Sequence, residues 1–87
     1  MSYQVPPRLG YVVDEESGSV YLMALPDGDP QVLSGTAGAI WRAAVSGADP
    51  VAAMVEAFPD EPRGLVRAQT TEFIGQLIAA GYLAERP

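Results

Sequence analysis

Eighty-seven residues, 48% of them hydrophobic, make one small domain with enough apolar content to form a core, which excludes a disordered chain. Eleven acidic residues oppose five basic ones, all arginine, for a net charge of −6; such a chain repels phosphate backbones and offers no basic cluster to release counterions. The sequence has neither cysteine nor histidine. That excludes a disulfide framework and a thiolate metal site, and it removes the commonest general base and metal ligand.

Residues 1–8 contain Pro6-Pro7 and read as an extended N-terminal arm. Leu9 to Val13, with Tyr11, Val12 and Val13, has strand composition. The polar turn Asp14-Glu15-Glu16-Ser17-Gly18 and the returning run Val20 to Leu25 complete a β-hairpin. Pro26-Asp27-Gly28-Asp29-Pro30 is a second turn, in which Asp-Gly supplies the bend. Gln31-Val32-Leu33 then forms a short third strand, expected at a sheet edge because it is the last of three.

Helical periodicity begins at Ser34, read as an N-cap. Ala37, Ile40, Trp41, Ala44 and Val45 give the first helix its apolar stripe, and Gly47 ends it. Asp49-Pro50 is a second start signal, with Val51, Met54, Val55 and Phe58 as the buried side and Pro59 as the stop. Asp60-Glu61-Pro62 opens a third helix that reaches about Ala80 and halts at Gly81, and Tyr82-Leu83 folds back as a hydrophobic lock. The expected fold is α+β: a three-stranded antiparallel sheet followed by three helices, an order resembling a winged helix-turn-helix. The apolar runs are too short to span a bilayer, and Met1-Ser2-Tyr3-Gln4 has no basic leader. A cytoplasmic protein that enters no membrane is therefore expected.

Catalysis has little to work with. A hydroxyl nucleophile without histidine or lysine lacks its usual activating base. The acidic groups Asp14-Glu15-Glu16, Asp27/Asp29 and Asp60-Glu61 fall in turns or at a helix start, where solvation and the helix dipole explain them. Gly35-Thr36-Ala37-Gly38 lacks the lysine of a P-loop and the third glycine of a dinucleotide fingerprint, so it reads as small residues in a first helical turn. Trp41 reads as core. No metal site and no cofactor are expected.

The third helix carries more apolar positions than one buried face needs. Val66, Thr70, Phe73 and Leu77 form the expected core face, and Arg67, Thr71, Ile74 and Ile78 repeat the same spacing one position on. This second stripe is either a widened core contact or the wall of a groove. The edge strand Gln31–Leu33 could supply an opposite wall, since its unpaired N–H and C=O groups can accept another chain by β-augmentation. On the groove reading, Ile74→Asp and Val32→Pro weaken binding and leave the fold intact.

Val32-Leu33-Ser34-Gly35-Thr36-Ala37 followed by Ile40-Trp41 resembles the strand-to-helix segment of the PqqD-like family of leader-peptide recognition domains, with its "Leu-Asn-x-Thr-Ala" run. Phe73-Ile74-x-x-Leu77-x-x-x-Gly81-Tyr82-Leu83 resembles that family's closing "Phe-Leu-x-x-Leu-x-x-x-Gly-Leu-Leu". The likeness covers residues 9–84, leaving 85–87 as a tail. It departs from the family at Ser34, where asparagine is frequent, at Thr70, where valine is usual, and in the turn from Pro26 to Pro30.

The resemblance implies a non-catalytic domain that binds the leader segment of a ribosomally made precursor peptide as an added strand. By position it implicates Gln31, Val32 and Leu33 as the strand wall and Arg67, Thr71, Ile74 and Ile78 as the helix wall, with Arg67 available to an acidic leader residue. The implied partners are the precursor leader peptide, a leader peptidase and a cyclase, as in the split B protein of lasso-peptide biosynthesis. A PqqD-type chaperone for a radical enzyme in quinone-cofactor synthesis is the alternative within the family. A winged-helix DNA binder is the alternative outside it, and it would require a more basic third helix than Arg63 and Arg67 provide.

Overall fold

The computed structural model describes residues 2–87 as an α+β domain in which a three-stranded antiparallel sheet precedes three helices. Strand β1 (Tyr3–Gln4) lies in the N-terminal arm, and the main sheet is built from β2 (Leu9–Val13), β3 (Val20–Ala24) and β4 (Gln31–Leu33) in the spatial order β2-β3-β4. β2 pairs with β3 from Leu9↔Ala24 to Val13↔Val20, and β3 pairs with β4 from Val20↔Leu33 to Leu22↔Gln31.

Turn chemistry sets these registers. The Asp14 carboxylate accepts the Glu16 N–H at 3.0 Å, and Gly18 takes the left-handed φ of 76° that returns the chain into β3. At the second turn the Gly28 N–H donates to the Ala24 carbonyl at 2.7 Å. A Cβ on Gly28 would stand 2.5 Å from that same oxygen, so the bend admits only glycine.

Helix α1 (Thr36–Val45) begins one residue later than Ser34 predicts, and Ser34 does not cap it. The N-cap is Gly35 at φ 58°, with no side-chain cap bond. The chain must turn sharply out of β4, and glycine supplies the positive φ for that turn. Gly38 then lets the first turn of α1 press on the sheet: a Cβ there would meet the Gly18 and Leu33 carbonyl oxygens, each at 2.8 Å. These small residues serve helix-to-sheet approach rather than a phosphate cradle.

Helix α2 (Pro50–Ala57) starts as its sequence predicts. Asp49 accepts from the Val51 and Ala52 N–H groups at 3.0 and 3.3 Å, with Pro50 at the first helical position. Helix α3 (Arg63–Ala80) has Pro62 before it and no side-chain cap, so Asp60 and Glu61 lie in the preceding turn. It ends in a Schellman motif: Gly81 at φ 83° donates to Ile78, and the Tyr82 N–H donates to the Leu77 carbonyl.

The core lies between the inner face of the sheet and the helices. Val20 and Leu22 of β3 meet Ile40, Trp41 and Ala44 of α1, with Met54, Val66, Ile74, Leu77 and Leu83 closing the cluster. Trp41 is fully buried; its indole N–H donates to the Tyr82 carbonyl at 2.8 Å and its ring lies 5.0 Å from that of Tyr11. Removing some 200 Å² of aromatic surface from water contributes on the order of 5 kcal/mol before entropy is counted. The hydrogen bond fixes where the chain after α3 must return, which is the lock expected of Tyr82-Leu83.

The two ends of the described chain also pair. β1 joins β5 (Ala84–Glu85) antiparallel with Tyr3↔Glu85 and Gln4↔Ala84, and the Arg86 N–H donates to the Ser2 carbonyl at 3.0 Å. The extended arm and the tail therefore form a two-stranded clasp, with Tyr3 and Val5 packed on the core. No helix among the described residues is long and apolar enough to cross a membrane.

Candidate functional site

β4 is an edge strand, as its place in the sequence predicts: one side bonds to β3 and the other carries no strand among the described residues. Its pleat sends Val32 to the outer face, in line with Tyr21, while Gln31 and Leu33 alternate toward the helices. Gln31 and Val32 are exposed, and Leu33 is half-buried against the core. Two residues beyond Leu33 the chain enters α1, and the first residues of that helix, Thr36 and Ala37, line a groove.

This groove, about 520 Å³ in volume, runs between the start of α1, the end of α2 and the middle of α3. Its floor is apolar: Ile40, Met54 and Val66 are core residues that reach it from three helices. Phe58 and Leu65, exposed at 40% and 50%, stand along its sides, and Phe73 is half-buried in it. Thr36, Gln69 and Thr70 supply hydrogen-bonding groups, and Glu61 is the one charged residue of the lining. Few polar groups over an apolar floor is the usual make-up of a binding cleft.

The predicted helix wall is not this one. Ile74 is 5% exposed and belongs to the core, so it forms no groove surface. Arg67 lies in a second groove of about 450 Å³ on the α2 side, with Asp49, Val55, Glu56 and Arg63 among its neighbours. Thr71 is exposed and lines neither groove, and Ile78 is half-buried against the core. The correction follows from helix geometry. With the core direction set by Val66, Thr70 and Leu77, Phe73 points roughly 40° to one side and Ile74 roughly 60° to the other. Both positions therefore flank the stripe, and the packing of α1 and α2 decides which one is covered.

The groove-lining residues Leu65, Gln69 and Phe73 follow an i, i+4, i+8 spacing along α3. The signal available in the sequence was Leu65, a large apolar side chain outside the expected core face. Phe73 also fits the spacing of the core face, which masks the pattern.

Among the described residues no three histidines, cysteines or carboxylates come together in a way that could hold a metal ion. No protein-family model matches the chain, no curated protein matches its sequence, and no solved structure matches its fold.

Proposed function

We propose that this chain is a non-catalytic peptide-binding module that takes the leader segment of a ribosomally synthesised precursor as an added strand on β4. The observation that carries the reading is the continuity between an unpaired strand edge and an apolar groove, joined through Thr36 and Ala37. A segment laid beside Gln31–Leu33 satisfies exposed backbone groups, each hydrogen bond contributing about 0.5–1.5 kcal/mol. Its alternate side chains then fall on the groove side, where Ile40, Leu65 and Phe73 offer an apolar anchor site.

Relative to the wall implied by the family resemblance, the helix contribution moves from Arg67, Thr71, Ile74 and Ile78 to Leu65, Gln69 and Phe73. Arg67 faces α2, so an acidic leader residue loses its suggested partner; Glu61 at the groove favours a basic one. Holding the leader in this way delivers the rest of the precursor to separate enzymes, a leader peptidase and then a cyclase in the lasso-peptide reading. A PqqD-type chaperone partnered with a radical enzyme uses the same contact.

Isothermal titration of the chain with the leader segments of candidate precursor peptides encoded near its gene tests the proposal. Saturable binding that Phe73→Asp weakens at least about tenfold, and Thr71→Ala leaves unchanged, supports it. Absence of binding by any neighbouring precursor ends it.

A further inference from the structure

The outer face of the main sheet carries a row of uncovered apolar side chains. Val12, Tyr21 and Val32 stand side by side in cross-strand register on β2, β3 and β4, with Val12 66% and Val32 54% exposed. Met23 lies opposite Gly10, and Leu25 folds over that glycine, where a Cβ would come within 3.6 Å of its side chain. Beside Val32 and Leu25, a shallow concavity of about 270 Å³ lined by Gly10, Tyr11, Val12, Tyr21, Leu22, Met23 and Pro30 contains no charged residue. An antiparallel sheet with one face on the core normally turns polar side chains outward. Large contiguous apolar patches on a small protein mark interaction surfaces.

Charge says what fits there. The turn beyond one end of the β2–β3 ladder holds Asp14, Glu15 and Glu16, and the turn beyond the other end holds Asp27 and Asp29. Against these five carboxylates stand Arg8 before β2 and Arg42, whose guanidinium lies against Gly18. Both ends therefore keep an acidic excess. A second copy of the same face, its strands aligned parallel or antiparallel, would oppose acid to acid at both ends.

We propose that the outer face of the β2–β3–β4 sheet docks a second protein through an apolar surface ringed by lysine and arginine. The site lies across the sheet from α1 and shares no groove-lining side chain with the peptide site, the two meeting only at Val32 on the edge strand. The acidic ends steer the encounter and the apolar row holds the complex.

Photo-crosslinking in the cells that make the protein tests this, with p-benzoylphenylalanine placed at Tyr21 and, separately, at Val12 of the full chain. The expected result is one protein captured from both positions, its crosslinked segment apolar and flanked by basic residues. The purified pair then binds in solution. Val12→Glu weakens that binding about tenfold or more, with Val12→Ser as the milder variant should the first lose its circular dichroism spectrum. Replacing Glu15 and Glu16 by Gln and Asp29 by Asn slows association and flattens its salt dependence. Phe73→Asp leaves the crosslink in place, which separates this site from the peptide groove. Capture of a second copy, of nucleic acid or lipid, of a partner surface without basic residues, or of nothing overturns the proposal.

Discussion

The two faces of the β2–β3–β4 sheet are made from similar residues and meet opposite fates. The inner face presents Leu9, Val20 and Leu22, all buried, with Tyr11 half exposed at its margin against Trp41, whereas the outer face presents Val12, Tyr21, Met23 and Val32, all exposed. Composition does not separate them. What does is α1, which Gly38 allows to lie directly on the ends of β2–β3 and β4 from one side only. An apolar side chain in this domain is thus stabilising or available according to whether a helix reaches it, and helix α3 repeats the contrast on a smaller scale.

Substitutions break or sharpen that contrast. The largest effect is expected on the covered side, at Trp41→Ala, which removes a fully buried ring and leaves the Tyr82 carbonyl without its donor. A loss of about 3–5 kcal/mol, read from urea unfolding, approaches the whole stability of a domain this size. Ile74→Ala comes next at about 2–5 kcal/mol, and Ile74→Asp unfolds the protein rather than selectively weakening binding. On the open flank of the same helix, Leu65→Ala changes stability by no more than about 0.5 kcal/mol while weakening leader-peptide binding. Asp49→Ala, which removes the cap of α2, costs about 1 kcal/mol. The smallest effect is expected on the uncovered sheet face, where Val12→Ser stays within about 0.5 kcal/mol in the same assay. A destabilisation at Val12 equal to that at Ile74 would mean that the outer face is not free.

Much of this fold was legible in the residues. The hairpin turns, the edge position of Gln31–Leu33, the Asp49-Pro50 start and the Gly81 stop follow from local chemistry, in which a side chain or a glycine acts within a few residues of itself. The clasp between Tyr3-Gln4 and Ala84-Glu85 was not legible, because two-residue strands carry no periodicity and their pairing spans the chain. The start of α1 was misplaced by one residue because Ser34 has cap chemistry, while the sharp exit from β4 demanded the backbone of Gly35. The edge position of Gln31–Leu33, the strand side of the candidate site, could be read directly. Its helix side could not: Phe73 and Ile74 flank the same stripe, and only the neighbouring helices determine which of them faces the groove.

Trp41 is the only tryptophan in the chain, and its surroundings make it an optical gauge of two events. Sealed from water and bonded to the Tyr82 carbonyl, it should emit at short wavelength, and the emission should move red when the C-terminal segment lifts away. Its neighbour Ile40 lines the groove, so a ligand settling there changes the packing beside the indole without touching it. Intrinsic fluorescence can therefore follow folding and groove occupancy in the unlabelled protein. The wavelength reports the first, and a change in intensity at constant wavelength reports the second.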